Sequence, residues 1–173
     1  AGVTGVVARI TRELLARCQE LNTQISGLDG ELRVLVRAQA PALLAIPGCG
    51  VLSAAVIIGE TAGVHRFSSR AKFARFTGTA PVPVWSGASA GKVRLNRGGN
   101  RDMNCALHTI AITQARQGIG PGSSFIAKQT KRGKDTTAAR RLLRRRLSDT
   151  VFTALRTDQN VLTRPATTLA EAA

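Results

Sequence analysis

The chain has 173 residues, of which 43% are hydrophobic and 3% aromatic, and its mean hydropathy is close to zero. This composition is typical of a globular protein and excludes a disordered one. The formal charge is +15, and residues 61–173 account for all of it, with 20 basic side chains against five acids. Charge of one sign favours a polyanionic partner, and nucleic acid is the commonest one.

The cysteines and the hydropathy exclude two further classes. The three cysteines form no Cys-x-x-Cys pair and share no metal-ligand spacing with the two histidines, so we expect no metal site and a reducing compartment. No apolar run approaches the roughly 20 residues that span a bilayer, and no signal peptide is visible at the N-terminus. We therefore expect a cytoplasmic protein with no membrane partner.

Residues 6–36 carry a heptad repeat. An apolar residue recurs every seven positions, at Val7, Leu14, Leu21, Leu28 and Leu35. This favours a coiled coil that joins protomers into a dimer or tetramer, and the alternative is an amphipathic helix packed on its own domain. Because Gly27 and Gly30 weaken the middle, a helical hairpin competes with one long helix. We assign residues 1–38 to this segment and, since the pattern begins without a methionine, expect the chain to be part of a longer protein.

Residues 40–60 predict two short apolar helices joined by a turn, Pro47-Gly48-Cys49-Gly50, with the second helix beginning at Val51. This is the helix-hairpin-helix pattern. Gly48 and Gly50 permit close approach of a backbone, and the N–H groups that begin the second helix favour a DNA phosphate. The alternative is an ordinary helical corner.

Residues 65–78 predict a short helix capped by Ser68 or Ser69, and residues 79–100 are predicted to form a basic, glycine-rich loop after it. Within this loop, "TAPVPV" is extended and "KVRLN" can pair with it as a short β ribbon. The helix that follows runs from Arg101 to Gln117, and a glycine loop before a helix N-terminus is an anion site. The candidate nucleic-acid contacts here are Lys92, Arg94, Arg97, Gly98, Gly99, Asn100 and Arg101.

A flexible segment after "GIGPGSS" is predicted to lead into a last helix from about Asp135 to Arg156. Its packing stripe is Ala139, Leu143, Leu147, Val151 and Leu155. Clustered arginines beside the stripe repel one another, and a phosphate backbone would relieve that repulsion, whereas a solvated charged face is the alternative. The candidate contacts are Lys131, Arg132, Lys134, Arg140, Arg141, Arg144 and Arg145. Residues 158–173 are predicted to be a flexible tail.

Four segments together carry a family resemblance. They are "IPGCG...AAVIIGE", "RFSSRAKFARFTGTAPVPVWSG", "RLNRGGNRDMNCALHTIAITQ" and "KRGKDTTAARRLLRRRLSDTVFTAL". In this order and spacing, residues 40–157 and the preceding heptads resemble the C-terminal half of transposases of the insertion-sequence-110 family.

The resemblance implies a bacterial DNA recombinase that acts as a multimer and, in some members, uses a bridge RNA to choose its target. It implies an N-terminal RuvC-like domain with an acidic magnesium site, a coiled-coil linker and a transposase domain with an essential serine. The family's Ser-Gly motif falls on Ser86-Gly87, so Ser86 is the implied nucleophile that forms a phosphoserine with DNA. Ser89 is the alternative, because "WSGASAGK" is longer than the expected motif.

The residues around Ser86 agree with an activating site located elsewhere. A serine hydroxyl needs a base or metal to become a good nucleophile, and residues 61–101 contain no Asp or Glu. We therefore expect no cofactor in this chain, magnesium in the RuvC-like domain, and nucleic-acid binding without cleavage by the chain alone. Glu60 and Asp102 are interpreted as helix-terminal charges, and His108 as a histidine at the edge of the core.

The sequence thus predicts a mainly α fold: an N-terminal coiled coil or helical hairpin, then a helical transposase domain over residues 39–157 with a helix-hairpin-helix motif and a short β ribbon. The predicted function is serine-dependent DNA transposition, with DNA and a guide RNA as partners near the nucleoid. The alternative is a non-enzymatic helix-hairpin-helix module for nucleic-acid binding and multimerisation.

Overall fold

A computed structural model describes residues 2–84, 86–89, 93–96 and 98–163. The fold is mainly α-helical, as predicted, and divides into two compact units, residues 1–35 and 36–173. Among the described residues, no helix is both long enough and apolar enough to cross a membrane.

The first unit consists of one helix, α1 (Gly2–Gln39), whose last four residues are assigned to the second unit. It continues through Gly27 and Gly30, so the structure shows one helix rather than a hairpin. The predicted heptad side chains are all exposed, from 39% at Leu21 to 64% at Leu28. The apolar stripe of α1 therefore finds no partner within its own unit.

The second unit is built around its longest helix. The helices are α2 (Pro41–Leu44), α3 (Val51–Thr61), α4 (Arg70–Phe76), α5 (Arg101–Gln117), α6 (Gly122–Lys131) and α7 (Thr136–Leu162). Helix α7 packs against α2, α4, α5 and α6, while α5 also covers α3. All five residues of the predicted α7 stripe are buried, because their spacing places them along one face of that helix.

Aromatic rings join α4 to α7. Phe73 lies 5.2 Å from Phe67 and 5.4 Å from Phe152, measured between ring centroids, and these are favourable distances for aromatic pairs. Helix α4 is fixed at its start by Ser69, whose side chain accepts a hydrogen bond from the Lys72 backbone N–H. Of the two predicted caps, the structure selects Ser69.

The segment before α7 corrects one prediction. Residues 125–131 belong to the segment predicted to be flexible, but they form most of α6, which packs on both α5 and α7. Gly122 is buried against Gln114, where an added Cβ would lie 2.5 Å from the Gln114 Cβ atom. The Arg146 guanidinium lies 5.0 Å from the Phe125 ring centroid. The sequence did not indicate this helix because glycines flank it and it contains a single aromatic residue. Packing against other helices stabilises it.

Helix α7 also continues to Leu162, beyond the predicted end at Arg156, so residues 158–162 are helical rather than part of a tail. The carboxylate of Asp158 accepts hydrogen bonds from the backbone N–H groups of Ala42 at 2.8 Å and Leu43 at 3.1 Å. The Gln159 side chain accepts another from the Val64 N–H. These contacts order the end of α7 through residues far away in the sequence.

The predicted β ribbon is present between α4 and α5. Strand β1 (Pro81–Pro83) pairs antiparallel with β2 (Val93–Leu95), and Pro81 lies opposite Leu95. Proline is tolerated in β1 because an isolated two-stranded ribbon has two free edges.

Candidate nucleic-acid interface

The loop that joins β1 to β2 presents Ser86. This residue is exposed, and a short 3-10 turn, Gly87–Ser89, follows it directly. Gly87 has a φ of +50°, a left-handed conformation that glycine adopts at little cost. The antiparallel ribbon brings both ends of the loop together, so Ser86 lies at the tip of a two-stranded support. Ser89 lies in the turn itself, while Lys92 and Arg97 lie outside the described residues.

Of the two glycines that follow the ribbon, Gly99 is explained by close packing. A Cβ on Gly99 would overlap the Cα and N atoms of Gly78, and would lie 3.1 Å from the carbonyl oxygen of Phe76. The Asn100 N–H donates to that same carbonyl at 2.7 Å. Gly98 has room for a side chain and is exposed. Gly99 thus allows the loop to cross the end of α4, which fixes the start of α5.

Asn100 begins α5 as predicted. Its side-chain oxygen accepts a hydrogen bond from the Met103 N–H at 2.9 Å, and its amide nitrogen donates to the Glu60 carboxylate. The cap satisfies one of the N–H groups in the first turn of α5, and the second bond ties α5 to the end of α3. Both polar atoms of the Asn100 side chain are therefore used within the fold.

The predicted helix-hairpin-helix turn packs on α5. Gly48 has a φ of +80°, and a Cβ there would lie 3.1 Å from the Ile110 carbonyl oxygen. The Gln114 side chain donates to the Pro47 carbonyl at 2.7 Å, and burial raises the pKa of the Cys49 thiol to about 11. Gly50 is exposed and precedes α3, whose first turn has no side-chain cap. This turn therefore combines tight packing on one side with an exposed helix N-terminus on the other.

A cleft between the ribbon and α7 brings four predicted basic residues together. Its volume is about 280 Å³, and Thr79, Ala80 and Pro81 line its ribbon side. The cations around it are Arg94, Lys134, Arg141 and Arg145. Arg145 also pairs with Asp149 one turn along α7, which offsets part of its charge. Arg94, Lys134 and Arg141 make no ion pair with any described residue, so the cleft is cationic.

Arg144 faces the other side of α7 toward α5. Its Nη1 atom donates to the Asn104 side-chain oxygen at 2.8 Å, and the Asn104 amide nitrogen donates to the Thr77 carbonyl at 3.0 Å. Burial, and then the charge of Arg141, lowers the pKa of Arg144. The sequence offered no signal for Asn104, because its partners come from α4 and α7. The other predicted cations on the described surface, Arg101, Lys131, Arg132 and Arg140, are exposed.

The acids of the second unit are mostly engaged in the fold. Asp135 caps α7 through the Ala138 N–H at 2.7 Å, and Asp158 and Glu60 bond as described above. Across the part of the chain that the structure describes, no three His, Cys, Asp or Glu side chains are grouped in a way that could hold a metal ion. The described residues therefore do not fit a magnesium site of their own.

Comparison with known proteins identifies the family of this chain. Residues 40–126, just over half of the chain, match the model of the transposase IS116/IS110/IS902 family. The chain is 33% identical over 170 residues to an insertion element IS900 uncharacterized 42 kDa protein of Mycobacterium paratuberculosis, covering 96% of this chain and 41% of that protein.

A second relative is the insertion element IS110 uncharacterized 43.6 kDa protein of Streptomyces coelicolor, 31% identical over 157 residues, covering 88% of this chain and 38% of that protein. The chain thus spans about two fifths of the length of these relatives. The matched region contains α2 to α5, the ribbon, the Ser86 loop and the start of α6. The chain belongs to the IS116/IS110/IS902 family of transposases.

Proposed function

We propose that this chain is the serine-bearing part of a DNA transposase, with Ser86 as the nucleophile that breaks a DNA strand. The observation that carries the proposal is the position of Ser86, exposed at the tip of the ribbon whose base forms one wall of a cationic cleft. Membership of a transposase family supports DNA as the substrate, and the arginines of α7 provide a positively charged surface for its phosphates.

The proposed step is a phosphoryl transfer. The Ser86 hydroxyl oxygen forms a bond to phosphorus as one phosphorus–oxygen bond of the DNA backbone breaks, leaving a phosphoserine and a DNA hydroxyl. The serine proton passes to a base, and the departing oxygen takes up a proton. Cations beside the loop, such as Arg94, stabilise the charge that develops on the phosphate oxygens.

Neither the base nor a metal ligand is assigned to this chain. Residues 61–101 contain no acid, and the grouped acids needed for magnesium are absent from the described residues. We place both in a RuvC-like domain of the complete protein, so that the active site is composite. The chain alone then binds DNA without cleaving it.

We further propose that α1 joins copies of this chain. Its heptad side chains are exposed along a helix of 38 residues, and burying each in a coiled-coil partner stabilises the assembly by about 1.5–3 kcal/mol per side chain. A dimer or a tetramer satisfies this pattern. A guide RNA is a second polyanion for the basic surface, and its binding is part of the same proposal.

The deciding experiment detects a covalent adduct between protein and DNA. The full-length transposase is incubated with magnesium, labelled element-end DNA and its cognate RNA, and the products are separated on a denaturing gel. We expect an adduct with the native protein, none with Ser86→Ala, and an undiminished adduct with Ser89→Ala, while DNA binding remains unchanged in both variants.

The possible outcomes separate the alternatives. Loss of the adduct only in Ser89→Ala would identify Ser89, three positions further along the same loop, as the nucleophile. Recombination by Ser86→Ala and Ser89→Ala at the native rate would refute serine chemistry and favour the non-enzymatic helix-hairpin-helix module. For α1, replacing Leu14 and Leu21 by Glu is expected to give monomers in light scattering, with Glu13→Lys as an exposed control on the same helix.

A further inference from the structure

A second cavity, separate from the cationic cleft described above, lies between α5, α7 and the loop that follows β2. Its volume is about 680 Å³, within the range of small-molecule sites in proteins. It is lined by Gly78, Asn96, Gly99, Arg101, Asp102, Asn104, Cys105, His108 and Arg144. The space is large enough for one nucleotide unit.

Arg144 is held in this cavity before any ligand arrives. Asn104 fixes its Nη1 atom, and Asn104 is itself bonded to the Thr77 carbonyl. The Arg144 Nε atom is buried and has no hydrogen-bond partner among the described residues. A buried guanidinium N–H without an acceptor is unfavourable, and an anionic oxygen beside it would supply one. No carboxylate of the described chain pairs with Arg144.

His108 provides a second unsatisfied group in the wall of the cavity. Its Nδ1 atom is buried and has no hydrogen-bond partner within the described part of the chain. Burial, followed by the charges of Arg144 and Arg140, lowers the pKa of His108, so the imidazole is neutral at pH 7. The charged or titratable groups around it are Arg140 and Arg144 from α7, and Arg101, Asp102 and Cys105 from α5.

The charge of the lining selects the class of ligand. Arg101 and Arg144 contribute +2 and Asp102 contributes −1, which leaves +1 with a neutral His108. A phosphodiester carries one negative charge and has two free oxygens, which matches both the charge and the donors of an arginine fork. Asn96 and Asn104 serve the fold instead, because Asn96 bonds to the Arg75 carbonyl and the Gly98 N–H.

We propose that this cavity binds a phosphodiester of the nucleic-acid backbone, with Arg144 and Arg101 as its ligands, His108 in its wall and Asn104 as the residue that positions Arg144. The proposal rests on nucleic-acid binding as proposed above. It assigns a role to a cavity distinct from the Ser86 loop, where a bound phosphate would fix the register of the duplex on α5 and α7.

Cys105 makes the cavity directly testable. Its thiol is exposed and lines the cavity, whereas the exposed Cys18 lies on α1 and serves as an internal control. The alkylation rates of both thiols are measured by mass spectrometry with a DNA duplex, with an RNA duplex of the same sequence, and with inorganic phosphate. We expect a saturating DNA duplex to slow alkylation of Cys105 about tenfold, with Cys18 unchanged.

The variant Arg144→Gln tests whether Arg144 binds the phosphate. The matched control is Arg116→Gln, which replaces an exposed arginine in the last turn of α5. Arg144→Gln is expected to weaken duplex binding about tenfold and to abolish protection of Cys105. It should also reduce the slope of the logarithm of the binding constant against the logarithm of salt concentration by about the contribution of one phosphate contact. Arg116→Gln should retain protection. Thermal melting of both variants verifies that they fold, and the protection measured on the native chain does not depend on any variant.

Each result has a distinct meaning. Protection by DNA or RNA supports the phosphodiester site and identifies which polymer it takes, and additional protection by inorganic phosphate confirms the phosphate chemistry. Protection by inorganic phosphate without protection by either duplex would overturn the nucleic-acid assignment. Duplex binding that leaves Cys105 fully reactive, with equal losses in both arginine variants, would overturn this site alone. Failure to bind any duplex would instead overturn the proposed function.

Discussion

Replacement of Asp158 by Ala should destabilise the second unit more than removal of any other acid. Asp158 is only 4% exposed and accepts hydrogen bonds from the Ala42 N–H at 2.8 Å and the Leu43 N–H at 3.1 Å. A hydrogen bond to a charged group contributes about 1.5–3 kcal/mol, and the variant leaves two N–H groups of α2 without an acceptor. We expect the free energy of unfolding to fall by about 3–4 kcal/mol, a large part of the roughly 5–15 kcal/mol of a typical domain.

The assay is chemical denaturation together with a thermal melt. At about 2–4 °C per kcal/mol for a chain of this size, the melting temperature of Asp158→Ala should fall by about 6–16 °C. Asp149→Ala is the matched control, since Asp149 is partly exposed and pairs only with Arg145 of its own helix, an interaction worth at most about 1 kcal/mol. Equal destabilisation by the two variants would refute the argument that Asp158 caps α2.

Three further predictions concern packing, thiol reactivity and pH. Gly99→Ala should cost about 1–3 kcal/mol in urea denaturation because its Cβ overlaps backbone at the end of α4, whereas Gly98→Ala should be nearly neutral, and equal costs would contradict the crossing. At pH 8 Cys49 should stay unmodified in the native chain and react once the chain is denatured, because its thiol is buried and its pKa is raised; modification of Cys49 in the native chain would contradict its burial. The lowered pKa of His108 means that the folded state binds its proton more weakly than the unfolded state, so stability should fall as pH drops below about 6.5 through the folded pKa. Urea midpoints measured from pH 7.5 to 5 should show this loss in the native chain and a smaller loss in His108→Gln, and identical pH profiles would contradict it.

Two of the predicted helices, α5 and α7, contain both a periodic apolar stripe and a side-chain cap in their own sequence. For α5, Asn100 supplies the cap and Met103, Leu107 and Ile110 the buried stripe, and the predicted bounds Arg101 to Gln117 agree with the structure. For α7, Asp135 caps the helix as a strong local signal. Such features depend on neighbours within a few residues, so the sequence alone is sufficient to predict them.

Features that depend on distant contacts could not be predicted. The end of α7 is ordered by bonds from Asp158 to residues 115 and 116 positions away, and Asn104 meets Arg144 across 40 positions. Helix α6 begins at Gly122, and a glycine at this position suggests a loop in the sequence. The structure shows Gly122 packed against Gln114 of α5. The site divides in the same way: the positions of Ser86 and the cations follow from motifs, whereas the cavity around His108 exists only after α5 and α7 pack.

Most acids of the second unit are used inside the fold, which explains why so much of the positive charge is left without a carboxylate partner and available to a polyanion. Five acids lie within residues 36–163, and four of them make a cap, a hydrogen bond or an ion pair inside the fold, leaving Asp102 as the exposed exception. Arginines at nearby positions then have few carboxylates to neutralise them, and the repulsion along α7 is tolerated because that helix is anchored by its buried stripe.

Substitutions of the two charge types should therefore have separate effects. Removing a structural acid such as Asp158 should lower the free energy of unfolding and leave the basic surface intact. Removing an unpaired arginine such as Arg141 weakens duplex binding with little loss of stability, and it can even relieve repulsion. If the basic surface binds a polyanion, the acid variants should change mainly the free energy of unfolding, and the arginine variants should change mainly the affinity for DNA. A single shared trend would mean that the arginines serve the fold instead.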